Sequence, residues 1–543
     1  MFTRITKVKK NGKTLRYLKL VENYWEKKKT RQRVIANFGN VDKLNVKRID
    51  SAIASLIKFS SRHFVDLRNL KSIRCQHLGE ILAADIFWDR FQLSDIMERY
   101  TGEDTILIKA MIVSRLIEPL SKLRLSGEYY RMALSGLDDK EYSYQHFYRA
   151  MDTLIAHKED IESEIYDQVR DLFNLKLNLV FYDITSSYFE GQKCPLSSHG
   201  YSRDHRFDRE QILLGLLVTD EGIPIAHTVF NGNLADKTTV KGQIRDISRR
   251  FGIKRCIIVV DRGMVSTENL SFIEESGYDY IVALRKRSKK IFEPLLSMND
   301  NYKKIDENLL AFETTSDHFP NDRIIICFNK EKSEIEKEHR NRRLERVYKE
   351  LETIQEQYKK GNLRDKEKML QRGARILERR KVTRFFTLRI DEKKGLYFAY
   401  NKDTLSFEEL LDGKFILRTN EKTLEMKDII RAYKNLAKVE NAFCELKDFI
   451  KLRPIRHFTE RRVKAHVFIC VLAYLIEIAI ELTLHQKKIN LTAREALNQL
   501  SDIKLVSQEV EGLKIKTVCQ PKPETWKILK ALTITLPKEK IFR

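Results

Sequence analysis

None of the seven cysteines, at 75, 194, 256, 327, 444, 470 and 519, forms a C-x-x-C pair. That spacing excludes a zinc module and a disulfide framework, and it fits a reducing cytoplasm. Cys256 in an apolar strand and Cys470 in an apolar helix read as small hydrophobes. The chain also lacks internal repeats and low-complexity tracts. Its first residues, Met1-Phe2-Thr3-Arg4-Ile5, are without the apolar stretch of a signal peptide. The strongest membrane candidate, Val467 to Ile476, is about half the length that spans a bilayer and runs into Glu477, so a buried helix is expected. Negative charge is in the minority, with 77 Asp and Glu against 101 Lys and Arg and a net charge of +24. In a 543-residue chain, long enough for several domains, that excess favours a polyanionic partner, nucleic acid foremost.

Against this basic background three acidic residues stand out. Asp183 is expected to end the apolar strand Leu179-Val180-Phe181-Tyr182, and Asp261 the strand Ile257-Ile258-Val259-Val260. Carboxylates at the tips of buried strands are costly to desolvate unless compensated, and a divalent metal is the usual compensation. Glu440 falls on a helix expected over 426–450. Tyr433 and Lys447 lie seven residues to either side, which places all three on one face. The stripe is either an exposed Glu-Lys pair or a metal-holding glutamate flanked by phosphate contacts. Together these features suggest metal-dependent phosphoryl chemistry on a polyanion.

Periodicity divides the chain into five regions. Residues 1–65 read as a small basic β region that could bind DNA. Asn11-Gly12 sits at a hairpin turn, and Lys27, Lys28, Lys29, Arg31 and Arg33 cluster beyond it. Helical spacing fills 66–175, a second candidate for DNA-end binding, with Leu78, Ile81, Leu82 and Ile86 on one face. Residues 176–286 and 412–485 read as strand, strand, strand, helix, strand, helix, strand, with a return strand at Phe415–Arg418. A hairpin followed by crossover helices gives a mixed α/β sheet in ribonuclease-H-like order. The segment 287–411 interrupts it with a charged helical hairpin. One helix carries Leu344, Val347, Leu351, Ile354 and Tyr358, and its partner Leu370, Ala374 and Leu377. Its Lys and Arg side chains are either DNA contacts or the solvated face of a helix pair. Residues 486–543 form a mixed tail with a loop at Pro521 and Pro523.

Tyr433, Glu440 and Lys447 match the Y-x2-R-x3-E-x6-K signature, and the chain resembles the DDE transposases of bacterial insertion sequences that carry it. Phe181-Tyr182-Asp183-Ile184-Thr185 is similar to that group's first-aspartate strand, and Val260-Asp261-Arg262-Gly263 to its second. Gly200 to Arg206, Gly232 to Asp236, and Arg453 to His457 followed by Ala465-His466 resemble further blocks in the same order. One position departs, because the signature's arginine falls at Leu436, which cannot bind phosphate.

The resemblance implies a ribonuclease-H-like catalytic core in which Asp183, Asp261 and Glu440 are catalytic and hold two Mg²⁺ (or Mn²⁺) ions. It further implies that Tyr433 and Lys447 contact DNA, and that terminal inverted repeats and target DNA are the partners. A homodimer would hold the two ends, with cytoplasmic, nucleoid-associated localisation and no membrane. The implied reaction is cleavage at transposon ends followed by strand transfer. The alternatives are a metal-dependent nuclease without strand transfer and, on the strength of Leu436, a non-catalytic DNA-binding regulator.

Overall fold

A computed structural model describes residues 1–543 apart from 11, 28, 60–68, 138–139, 174–178, 192, 285–288, 298–301, 392–394, 511, 539 and 543. The chain divides into two compact units. One comprises Met1–Ile73 with Ser507–Lys516 and Glu539–Arg543; the other holds Arg74–Val506 and Thr517–Lys538.

The smaller unit begins with an antiparallel meander of β1 (Phe2–Lys10), β2 (Lys13–Glu26) and β3 (Lys29–Asn40). Lys10 opposite Lys13 leaves a two-residue turn between β1 and β2. Asn11 of that turn lies outside the described residues, and Gly12 takes the positive φ of +73° that such turns favour. Of the basic cluster, Lys28 is outside the described residues, while Arg31 and Arg33 pair with Glu26 and Glu22. Residues 46–57 were expected to be strand-like but form the helix α1 (Val46–Ile57), capped by the Asn45 side chain.

After β4 (Lys71–His77), the larger unit opens with helices. These are α2 (Gly79–Arg90), α3 (Leu93–Thr101), α4 (Thr105–Ile117), α5 (Lys122–Glu128), α6 (Tyr144–Ala156) and α7 (Lys158–Phe173). Helix α4 ends before Pro119, and the Ser121 side chain caps α5. The chain then builds β5 (Leu179–Tyr188), β6 (Gln211–Thr219), β7 (Pro224–Asn231), α8 (Val240–Arg249), β8 (Ile257–Val260), α9 (Thr267–Glu275) and β9 (Asp279–Ala283). Strand β6 is buried along its whole length, which explains its unbroken apolar run. Between β6 and β7, Gly222 at φ +89° makes the hairpin turn.

The insertion is more than a helical hairpin. It runs through α10 (Lys289–Leu296), β10 (Lys303–Lys304), β11 (Leu309–Thr314), β12 (Arg323–Asn329), α11 (Lys330–Lys359), α12 (Lys366–Arg379), β13 (Phe386–Asp391), β14 (Gly395–Tyr400) and α13 (Lys402–Leu411). The chain then returns as β15 (Lys414–Thr419). Strand β12 pairs with β15, so β10–β12 extend the central sheet to nine strands in the order β10-β11-β12-β15-β9-β8-β5-β6-β7. The apolar run Ile324-Ile325-Ile326-Cys327 drives this pairing and is fully buried.

The α11 seam is as expected at Leu344, Val347, Leu351 and Ile354. Its α12 partner face is Met369, Gly373 and Leu377, however, and Ala374 is exposed. A Cβ at Gly373 would stand 2.9 Å from Leu388 and 3.5 Å from Leu351. The missing side chain lets α12 approach closely there, while Leu370 and Leu377 pack in the same cluster as expected. These residues and the β13–β14 hairpin form a hydrophobic cluster of their own.

After β15 come α14 (Met426–Lys434), α15 (Ala437–Asp448), α16 (Glu460–Gln486), α17 (Ala493–Leu500), β16 (Lys504–Val510), β17 (Leu513–Val518), α18 (Pro523–Ala531) and β18 (Lys540–Phe542). Pro523 does not mark a loop. It starts α18, where its missing N–H costs no helical bond. Helix α16, at 27 residues, is long and apolar enough to cross a membrane by length and composition, longer than the run seen in sequence. Yet 83% of its most apolar stretch is buried, against α2, α4, α6 and β7 among others, so it is the spine of the protein core.

The separate insertion cluster makes a prediction. Leu351→Ala should cost about 2–5 kcal/mol, the usual range for a buried leucine. Hydrogen exchange should locate the lost protection in α11, α12, β13 and β14, with β5, β6 and β8 unchanged.

Candidate active site

The first two acids are brought together by strand register. Strands β5 and β8 run parallel with Tyr182 opposite Val260, the last pair in that ladder. The next residues on the two adjacent strands are Asp183 and Asp261. Strand β5 does not stop at Asp183, because its antiparallel pairing with β6 continues to Tyr188 opposite Gln211. Asp183 is thus interior to its strand and sits at the end of the parallel ladder only. Asp261 closes β8 and enters a turn in which the Met264 amide donates to the Asp261 carbonyl at 3.0 Å.

Glu440 arrives from a broken helix. The single helix expected over 426–450 is two, α14 with Tyr433 and α15 with Glu440 and Lys447. At the junction the chain tightens to three-residue hydrogen bonds, from the Leu436 amide to Tyr433 and from the Lys438 amide to Asn435. The side chains of the break are held by the β6–β7 turn: Asn435 Nδ2 donates to Asp220 Oδ1 at 2.7 Å, and Lys438 Nζ to the Asp220 carbonyl. Despite the break, Asp183, Asp261, Glu440, Tyr433 and Lys447 all line one cavity of about 950 Å³.

The electrostatics of this cavity are unbalanced. Burial raises the Asp183 carboxyl to about 7, and the negative charges of Asp261 and Glu440 add to the rise. Burial, together with the Asp261 charge, pushes the Tyr433 phenol up to about 12. Among the described residues, none forms an ion pair with Asp183, Asp261 or Glu440. Nor do any three His, Cys, Asp or Glu side chains among them close into a ready metal-ligand group. The donor set nevertheless suits a hard divalent cation, since it consists of carboxylate oxygens whose mutual repulsion the Arg203 charge offsets only in part. Gly263 leaves an open point where a Cβ would stand 3.7 Å from Asp261 Oδ2 and 3.6 Å from Asp236 Oδ2.

Lys447 is engaged within the protein. Its ammonium donates to Thr185 Oγ1 at 2.6 Å and pairs with buried Asp204 at 2.8 Å, and Arg453 reaches the same Asp204 carboxylate. Burial lowers the Lys447 pKa. Leu436 also lines the cavity but is 7% exposed and packs in the main core.

Among the further charged residues that line the cavity, Arg203, Asp236 and Arg262 lay in the quoted blocks but were given no role from sequence. Arg203 and Asp236 form an ion pair of 2.6 Å, and the Arg203 amide donates to Ser186 on β5 at 2.9 Å. Arg262 lay in the Val260–Gly263 block, and Arg203 and Asp236 in the Gly200–Arg206 and Gly232–Asp236 blocks. The two blocks meet where only glycine fits: a Cβ at Gly200 would stand 2.2 Å from the Gly232 carbonyl oxygen. Gln211 Nε2 ties both, donating to the carbonyls of Tyr201 and Gly232.

Comparisons with known proteins identify the family. Residues 3–68 match the N-terminal domain of the IS1634 family transposases, and residues 176–476 match the transposase DDE domain. No curated protein matches the chain. Among solved structures, it is similar to the piggyBac transposase in a synaptic complex with hairpin DNA. That match has a TM-score of 0.36 and 8% identity, covering 78% of this chain and 79% of that one. The DDE match alone spans more than half of the chain and contains all three acids, so the chain belongs to the DDE transposase family and is a protein of DNA transposition.

Proposed function

We propose that this transposase cleaves DNA at transposon ends and joins the freed 3′ ends to target DNA, with Asp183, Asp261 and Glu440 as its catalytic carboxylates. The observation that carries the reading is their convergence on one cavity from strands β5 and β8 and helix α15. The sheet portion β7-β6-β5-β8-β9, a hairpin joined to parallel strands by α8 and α9, is read as the ribonuclease-H-like core.

The three carboxylates would hold two Mg²⁺ or Mn²⁺ ions, which supply activation of the attacking oxygen and stabilisation of the leaving one. The chain's own residues orient the DNA. Tyr433 presents its phenol, un-ionised at neutral pH, to the same cavity as a hydrogen-bond donor. Arg203 and Arg262 offer guanidinium groups there, in place of the arginine that Leu436 does not supply. Lys447, bonded to both Thr185 and Asp204, braces the Glu440 helix against the Asp183 strand and borders the cavity where phosphate would lie. In this reading the N-terminal residues 1–65 and the helical region 66–175 bind the transposon ends, and two copies pair to hold both ends.

Two predictions follow from these roles. Asp183→Asn should abolish strand cleavage in Mg²⁺ while end binding, measured by gel shift in EDTA, stays intact; full cleavage by the pure variant sinks the assignment. Asp204→Ala should slow single-turnover cleavage by up to about a hundredfold through misplacement of Glu440. It should also raise the Mn²⁺ concentration needed for half-maximal rate. An unchanged rate and metal dependence would show that Lys447 needs no such brace.

A further inference from the structure

The carboxylate cavity opens into a second one of about 1850 Å³, and the two share Asp261, Arg262, Gly263 and Glu336. The far wall of this larger cavity is the insertion. Helix α11 is anchored at its near end: the Glu336 carboxylate accepts from the Gly413 amide at 2.8 Å, and buried Arg340 pairs with Asp412 at 2.5 Å. Steps of three and four residues from that anchor put His339, Arg343 and Arg346 on one side of the helix, and all three line the cavity.

The charge on this wall is not that of an ordinary solvated helix pair, in which acids and bases neutralise each other at four-residue steps. Eight arginines line the cavity against four carboxylates. Arg342 is neutralised by Glu338, and Arg384 by Glu408 at 3.0 Å. Arg379 and Arg380 share Glu350, which removes the one acid four residues beyond Arg346. Arg343 and Arg346 are exposed, and among the described residues neither has an ion-pair partner. The ten steps from Glu336 to Arg346 cover about 15 Å of helix. Over that length one strand of B-DNA presents about four phosphates, at about 3.4 Å each.

We infer that Arg343 and Arg346 form a phosphate-binding wall, contributed by the insertion, that holds the DNA backbone next to the scissile phosphate. The inference rests on the reading of the carboxylates as the cleavage centre. It gives the insertion a defined task, because a guanidinium fork matches phosphate oxygens and α11 is fixed to the sheet that carries Asp261.

The test is the salt dependence of binding by full-length protein in EDTA, with a labelled duplex that carries the element's terminal repeat and its flank. The double variant Arg343→Gln/Arg346→Gln should bind with a log Kd–log[salt] slope lower by about 2, from two lost contacts at about 0.9 each. The double lysine variant should keep the slope. Duplexes cut back at the cleavage position from either side identify the source of the phosphates, since the truncation that erases the difference removes the DNA in the groove. An unchanged slope in the glutamine variant overturns the wall while wild-type cleavage still stands. An equal loss in the lysine variant overturns it as a folding effect. A wild-type protein without salt-dependent binding overturns both the wall and the cleavage reading.

Discussion

The parallel pairing of β5 with β8 is the constraint on which the site depends. Its last rung, Tyr182 opposite Val260, delivers Asp183 and Asp261 to neighbouring positions on strands about 4.8 Å apart. A slip of one residue would turn every side chain of a strand to the opposite face and separate the two acids. The rest of the core secures that register. Strand β6 locks β5 from the other side along its full length, and the α8 crossover lets β8 run parallel to β5. Helix α16 fills the space beneath β7.

This arrangement keeps three carboxylates close without neutralising them, in a protein that carries 24 excess positive charges. Of the cations at hand, Lys447 pairs with Asp204 and Arg203 with Asp236 rather than with these three acids. Asp183 is left with a carboxyl raised to about 7, a local cost of the kind that folds tolerate at functional positions. The same division holds across the larger cavity, where five of eight arginines are paired and, among the described residues, Arg262, Arg343 and Arg346 have no ion-pair partner.

Much of the core was legible in the sequence because its signals are local. Apolar runs such as Leu179–Tyr182, Ile257–Val260 and Phe415–Arg418 marked β5, β8 and β15. What escaped depends on tertiary partners. The helix break at Asn435 is set by Asp220, 215 residues away in sequence. The engagement of Lys447 is set by Asp204, 243 residues away. Tyr433 and Glu440, seven residues apart, line one cavity although they belong to two helices. The insertion strands go beyond the expected helical hairpin, although Ile324-Ile325-Ile326 is as strong a β signal as any in the core. Arg203 and Asp236 had a motif but no chemistry until the fold brought their two loops together.

The most direct measurement is localised backbone cleavage by Fe²⁺ placed in the protein instead of Mg²⁺, with ascorbate and peroxide. The shared centre predicts cuts clustered at three segments far apart in sequence, around Asp183, Asp261 and Glu440, all suppressed by excess Mg²⁺. Cuts near the two aspartates with none near Glu440, or none that Mg²⁺ suppresses, would contradict it.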